Sequence, residues 1–347
     1  MTALRHPAKP RPGDKVAVVS PSSGLPGLFP LPHELGLRRL REDFGLLPVE
    51  YPTTRRMHAA PEDRAADLHA AFADPEIKAV IASVGGDDQI TVLPHLDREL
   101  LRAHPKPFFG YSDNTNLLLL LHNLGIVGFH GGSVMTQWGR PGALHPMTAA
   151  SLRAALFSPG PYELAPAPAF CDTDRPWEDP GTFAAEPVME PAAGWSWHRA
   201  DRVVEGPGWG GSLEVLSWLL MADREILPPE EYAGHVLFLE TSEELPAAEE
   251  VYRVLRSMGE RGLLRRFGAL LMGRPKSWSF GRPLTAPARA RFRADQRTAV
   301  LRALDRYAPG TTAVFDVDLG HTDPQLVLPV GGRIRVDGPA RRITVTY

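Results

Sequence analysis

The stretch Gly110-Tyr111-Ser112-Asp113-Asn114 carries the residue types and spacing best suited to nucleophilic chemistry. It lies between a short apolar run, Pro107-Phe108-Phe109, and a leucine-rich segment, residues 114–124, so a strand should turn sharply into a helix at Ser112. Such a turn lifts a hydroxyl above the sheet edge and points the first helical N–H groups to where an oxyanion would form. Asn114 stands where a nucleophile elbow carries its second glycine, so the same residues also read as an ordinary helix N-cap at Ser112 or Asp113.

A serine nucleophile requires a base, and the base requires an orienting acid. Among the 12 histidines, His321 is best placed, in Leu319-Gly320-His321-Thr322-Asp323-Pro324 just beyond an apolar strand over residues 312–317. His130, in Phe129-His130-Gly131-Gly132, is second. His235 opens a strand and reads as structural, while His33, His104 and His145 lie in polar surroundings. Glu240 ends the apolar run 236–239, where a carboxylate must find a partner to be tolerated. The competing role for Glu240 or Glu243 is charge stabilisation at the start of the next helix.

A metal-dependent hydrolase is the alternative of another class, built on Asp316, Asp318, His321 and Asp323, with Asp87 and Asp88 on a separate loop. It ranks lower, because Asp316 and Asp318 share one strand face and His321 lies beyond it.

The elements that must hold these residues alternate. A strand over 15–20 closes at Pro21-Ser22-Ser23-Gly24, and a helix follows over 33–43. A helix over 60–73 precedes a strand over 79–84 that runs into Gly85-Gly86-Asp87-Asp88. The serine segment is the third such unit. This pattern predicts an α/β fold with a parallel sheet and ligands at the carboxyl ends of its strands. Residues 159–191 hold eight of the 35 prolines, which predicts a proline-rich linker over 161–194 between an N-terminal domain, 1–160, and a C-terminal domain, 195–347. In the second domain, helices over 213–221, 246–259 and 287–307 alternate with strands over 235–240, 267–272 and 312–317. Residues 327–330 and 332–347 read as closing hairpins.

The 347 residues are 43% hydrophobic and 23% charged, as a globular chain should be, and 38 Lys+Arg against 41 Asp+Glu leave no basic block for a nucleic-acid polymer or an anionic membrane. Cys171 is the single cysteine, which excludes an intramolecular disulfide and Cys-rich metal centres. The polar, proline-rich stretch 1–14 lacks a signal-peptide core, and the leucine run 117–121 is far short of the ~20 residues of a membrane span, so a cytoplasmic location is expected.

Taken together, Gly110-Tyr111-Ser112-Asp113-Asn114-Thr115, Leu237-Phe238-Leu239-Glu240-Thr241-Ser242-Glu243 and residues 319–324 resemble the LD-carboxypeptidase family of serine peptidases, and more closely its microcin-immunity branch. The likeness extends to Gly13-Asp14-Lys15 leading into Ser20-Pro21-Ser22, to Val84-Gly85-Gly86 and to residues 262–273. It implies a flavodoxin-like N-terminal parallel-sheet domain holding the serine and a smaller C-terminal α/β domain with a mixed sheet. By the resemblance Ser112 is the nucleophile, His321 the base and Glu240 the orienting acid, with the N–H groups of Gly86 and Asp113 as the oxyanion hole. It also implies a homodimer without a cofactor. The implied substrates are a peptidyl or aminoacyl nucleotide, cleaved at its amide-like bond, or a murein tetrapeptide that loses its terminal D-alanine in cell-wall recycling. Trp195, Trp197 and Trp209, around Gly210-Gly211, are the candidates for stacking on a base, and Asp87 is expected to border the substrate. Core packing is the competing role for each indole. An ordinary histidine base would lose activity on acidification through about pH 6 to 7.

Overall fold

The computed structural model describes residues 4–347; residues 1–3 of the polar stretch 1–14 lie outside the described residues. In the first half, β1 (Lys15–Val19), β2 (Leu47–Glu50), β3 (Ile77–Ala82), β4 (Phe108–Gly110) and β5 (Gly128–His130) alternate with α1 (Pro30–Glu42), α2 (Pro61–Ala73), α3 (Arg98–Ala103), α4 (Thr115–Asn123) and α5 (Pro146–Phe157). The β-branched runs of β1 and β3 are buried almost throughout, as strands covered on both faces must be. These five strands are parallel and lie side by side in the order β2-β1-β3-β4-β5. That is the flavodoxin-like order, with its switch point between β1 and β3.

The later elements are β6 (Pro161–Leu164), β7 (Ala169–Phe170), α6 (Pro180–Phe183), β8 (Glu190–Pro191), β9 (Ser196–His198), β10 (Val203–Ser212), α7 (Leu213–Ala222), β11 (Val236–Glu240), α8 (Ala248–Glu260), β12 (Ala269–Gly273), α9 (Ala286–Tyr307), β13 (Thr312–Val317), β14 (Leu328–Val330), β15 (Arg333–Asp337) and β16 (Arg342–Thr346). Eight of these strands form a second, mixed sheet in the order β6-β16-β15-β10-β11-β12-β13-β9, parallel only from β10 to β13. The expected fold class, α/β with a largely parallel first sheet and a mixed second one, is the one observed.

Residues 161–194 are not bare chain. They contain β6 on the edge of the second sheet, the two-stranded β7-β8 ribbon and the short α6. The expected pairing of 327–330 is corrected too: β14 runs antiparallel to β5 and completes the first sheet, and only β15 and β16 form a hairpin. The divergence occurs at Gly331, whose φ of +89° turns the chain while its N–H bonds the Gly208 carbonyl at 2.7 Å.

The leucine run is a core helix. Leu117 to Leu121 are all buried on α4, which packs against β5, β10 and α7 between the two sheets. An apolar helix of this length is stable only where every face is covered, each leucine contributing ~1.5–3 kcal/mol by burial. The halves meet at its N-terminus, where Ser212 N–H donates to Thr115 Oγ1 at 3.1 Å and a β-carbon on Gly211 would collide with the same threonine. The carboxyl end of β10 is thereby seated on the start of the helix that follows Ser112. Among the described residues no helix is long and apolar enough to cross a membrane.

Candidate active site

Ser112 lies one residue beyond β4, in a single 3₁₀ turn leading into α4, and has a φ of +61°. A non-glycine residue in the left-handed region is strained, and here the strain holds the hydroxyl at the strand end. Space for it comes from Gly85: a β-carbon there would lie 2.9 Å from Ser112 Cβ and 3.0 Å from its Oγ. Gly86 has a φ of +151° and abuts Ser22, which leaves no room for a side chain.

Buried Asp113 fastens these loops together. Its carboxylate accepts from Ser22 Oγ, from Gln89 N–H at 2.8 Å and from Asn116 Nδ2 at 2.8 Å, linking the chain after β1, the chain after β3 and the start of α4. Burial pushes its carboxyl up to about 6 even though the bonds from Ser22 and Gln89 act in the opposite direction. Gln89 extends the ties to Asn114 Oδ1 at 3.0 Å and Leu117 N–H at 3.0 Å. Arg64, 4% exposed, bonds the Ser22 carbonyl at 2.8 Å and Asp88 at 2.6 Å. The Gly85–Gln89 loop is therefore held in shape beside Ser112.

Glu240 ends β11, fully buried, and its Oε2 accepts from His321 Nδ1 at 2.6 Å. The two residues come together because Gly273 and Gly320 leave space for the Glu240 side chain. The His321 loop is braced in turn by Gln325, whose Nε2 bonds the Gly320 carbonyl at 2.6 Å and whose Oε1 accepts from Gly132 N–H at 3.0 Å. The other imidazole nitrogen, Nε2, lies 3.2 Å from Glu243. Burial disfavours the charged ring, but Glu240, Glu243 and Glu214 together outweigh it and lift His321 to about 9. The acidic limb of a reaction that needs this imidazole neutral moves from about pH 6 to 7 to about 9.

Ser112, Gly86, His321 and Glu243 all line one cavity of about 590 Å³. Trp177 and Phe29, in edge-to-face contact at 5.8 Å, form an aromatic wall of the same cavity, with Arg140, Arg175 and Lys276 also among its lining. The indoles singled out by sequence lie elsewhere. Trp209 is buried against Tyr232 and Phe267, Trp195 donates to Asp318 at 2.9 Å, and Trp197 lies in edge strand β9 under the Arg341 guanidinium. Asp87 is exposed on its loop and is not part of the lining. His130 is buried behind the site, facing Tyr111 and Phe238, and burial lowers it to about 4.

The residues of the metal alternative do not converge. Asp316 pairs with Arg297, Asp318 with Arg274 at 3.3 Å, and Asp323 with Arg140 at 2.9 Å. Among the described residues no three His, Cys, Asp or Glu side chains are grouped as metal ligands.

The model of the LD-carboxypeptidase N-terminal domain matches residues 16–131, and that of the LD-carboxypeptidase C-terminal domain matches residues 205–336. The chain belongs to the LD-carboxypeptidase family. A probable murein peptide carboxypeptidase of Bacillus subtilis is 27% identical over 92% of this chain and 88% of its own length. The Escherichia coli microcin C7 self-immunity protein MccF is 24% identical over 82% of this chain and 78% of its own. The crystal structure of an MccF-like protein from Streptococcus pneumoniae in complex with AMP superposes with a TM-score of 0.84 at 26% identity, covering 96% of this chain and 99% of that one. Membership of the LD-carboxypeptidase family supports a serine carboxypeptidase activity.

Sequence reasoning passed over Trp177, Arg140 and Lys276 as parts of the cavity. Trp177 fell within the stretch read as linker, and the two cations carried no local signal. Glu243, which by sequence reads as a charge at the start of the next helix, is in contact with the imidazole.

Proposed function

We propose that the protein is a serine hydrolase that cleaves the amide-like bond joining an acyl or aminoacyl group to a nucleotide. Ser112 is the nucleophile, His321 the base, Glu240 the acid that fixes the imidazole tautomer, and the N–H groups of Gly86 and Asp113 the oxyanion donors. Ser112 Oγ attacks the acyl carbonyl as His321 Nε2 takes its proton. The nucleotide departs with that proton on its nitrogen, and water then releases the acyl group from Ser112 by the same route in reverse.

The observation that carries the nucleotide reading is the Trp177–Phe29 wall in the cavity that also holds Ser112 and His321. A base stacked on an indole gains about 1–3 kcal/mol, which a peptide stem would not recover. The AMP bound to the Streptococcus pneumoniae relative supports the same reading. The second reading, removal of D-alanine from a murein tetrapeptide, draws on the Bacillus subtilis relative. Purified protein offered an aminoacyl sulfamoyl adenosine and a murein tetrapeptide tests the choice. Faster cleavage of the sulfamoyl adenosine is expected, and faster release of D-alanine would replace the first reading with the second.

A further inference from the structure

In a serine triad the base keeps Nδ1 for its acid and Nε2 for the nucleophile. Here Nε2 lies 3.2 Å from the Glu243 carboxylate, so the imidazole is held between two glutamates. They are held very differently. Glu240 is fully buried, whereas the Glu243 side chain is 58% exposed, on the cavity lining beyond β11. His321 is the ion-pair partner of Glu243 among the described residues. The cations of the lining are bonded elsewhere: Arg140 with Asp323 and Glu186, Arg175 with the carbonyls of Gly181, Thr182, Ala185 and Glu186, and Lys276 with Asp174, although Lys276 also acts on Glu243 through space. Two further carboxylates lie near: burial and the carboxylates of Glu243 and Asp87 push Glu244 up, while Glu243 itself is held low, against its burial, by His321 and Lys276.

We propose that Glu243 is a specificity-determining carboxylate that caps His321 in the free protein and is drawn off it by an ammonium group on the acyl part of the substrate. A positive charge entering beside Ser112 gives Glu243 a new partner of the sign its surroundings favour, and the same exchange uncovers the nitrogen that must accept the serine proton. Substrate charge and base activation are thus one event. A neutral acyl group has nothing to offer Glu243 and meets a base that is still capped and protonated.

The groups facing the imidazole are Glu240 from β11, Glu243 and Glu244 from the loop after it, Glu214 from α7, and His130 and Tyr111 from the ends of β5 and β4. Of these charges, Glu243 is the exposed one on Nε2, so its removal should shift the titration of the base without dismantling the site. The inference rests on His321 acting as the base toward Ser112.

The test uses full-length protein, alanyl sulfamoyl adenosine and its N-acetylalanyl counterpart, with kcat/KM measured from pH 5 to 10 for wild type, Glu243→Gln, Glu243→Asp and Ser112→Ala. Wild type should prefer the alanyl compound at pH 7 by about 10-fold or more, and Glu243→Asp should keep a preference in the same direction. In Glu243→Gln the preference should collapse, and the acidic limb for the N-acetylated compound should fall by about one pH unit or more, making the variant faster than wild type on it near neutrality. A structural role alone would lower both rates together and leave the limb in place, and that result overturns the proposal. Turnover by Ser112→Ala at the wild-type rate would instead remove the triad on which the proposal rests, so the two failures are told apart.

Discussion

A β-carbon on Gly320 would stand 2.6 Å from Glu240 Oε2, the oxygen that bonds His321 Nδ1. The absence of a side chain on the residue preceding the histidine therefore leaves the space that the Glu240 carboxylate occupies. With a φ of +87° at Gly320, Gly320→Ala adds backbone strain of about 1–3 kcal/mol to the collision. We expect a lower thermal midpoint together with a loss of about 100-fold in kcat/KM. A variant with wild-type kinetics would show that the Glu240–His321 contact tolerates displacement.

Ser112 is strained by its φ of +61°, so stability and activity should separate there. Ser112→Gly should raise stability by about 1 kcal/mol, because glycine adopts the left-handed region freely, while Ser112→Ala should leave the midpoint nearly unchanged. Both should lose about 10⁴-fold or more in kcat. Thermal unfolding beside a single-turnover assay checks both halves, and turnover within 10-fold of wild type in either variant would dismiss Ser112 as the nucleophile.

Glu240→Gln takes a carboxylate from Nδ1 and leaves an amide able to hold the wrong tautomer, so kcat should fall by about 10³–10⁴-fold. The pH profile carries separate information. As the proposed base, His321 acts when neutral, so wild-type kcat/KM should rise with pH to a limb near 9, and loss of the Glu240 charge should carry that limb downward. A limb that stays in place would mean that another group titrates.

Trp177→Ala tests the aromatic wall. KM for an aminoacyl sulfamoyl adenosine should rise about 10-fold or more, with little change for a small peptide substrate. The same substitution at Trp209, which is packed in the core, should lower stability instead. Equal effects of Trp177→Ala on both substrates would count against base stacking.

Much of the candidate site could be read along the chain because its parts end apolar runs. Ser112 after β4, Glu240 at the end of β11 and His321 after β13 each lie where hydrophobic residues give way to polar ones, a pattern written in neighbouring residues. The alternation of helices with buried strands likewise specified an α/β fold, since periodicity and turn chemistry act over a few residues. What depends on distant partners was not legible. The pairing of β14 with β5 joins residues some 200 positions apart, and local pattern cannot distinguish that partner from the adjacent β15. Trp177 lines the cavity while Trp195 and Trp197 do not, because the 161–194 segment folds back as β6, α6 and the β7-β8 ribbon. The contacts of His321 with Glu240 and, at 3.2 Å, with Glu243, and with them the raised proton affinity of the imidazole, exist only because segments following different strands close on one point. Electrostatic energies vary with distances of a few ångströms and with burial, and neither is set until the chain has packed.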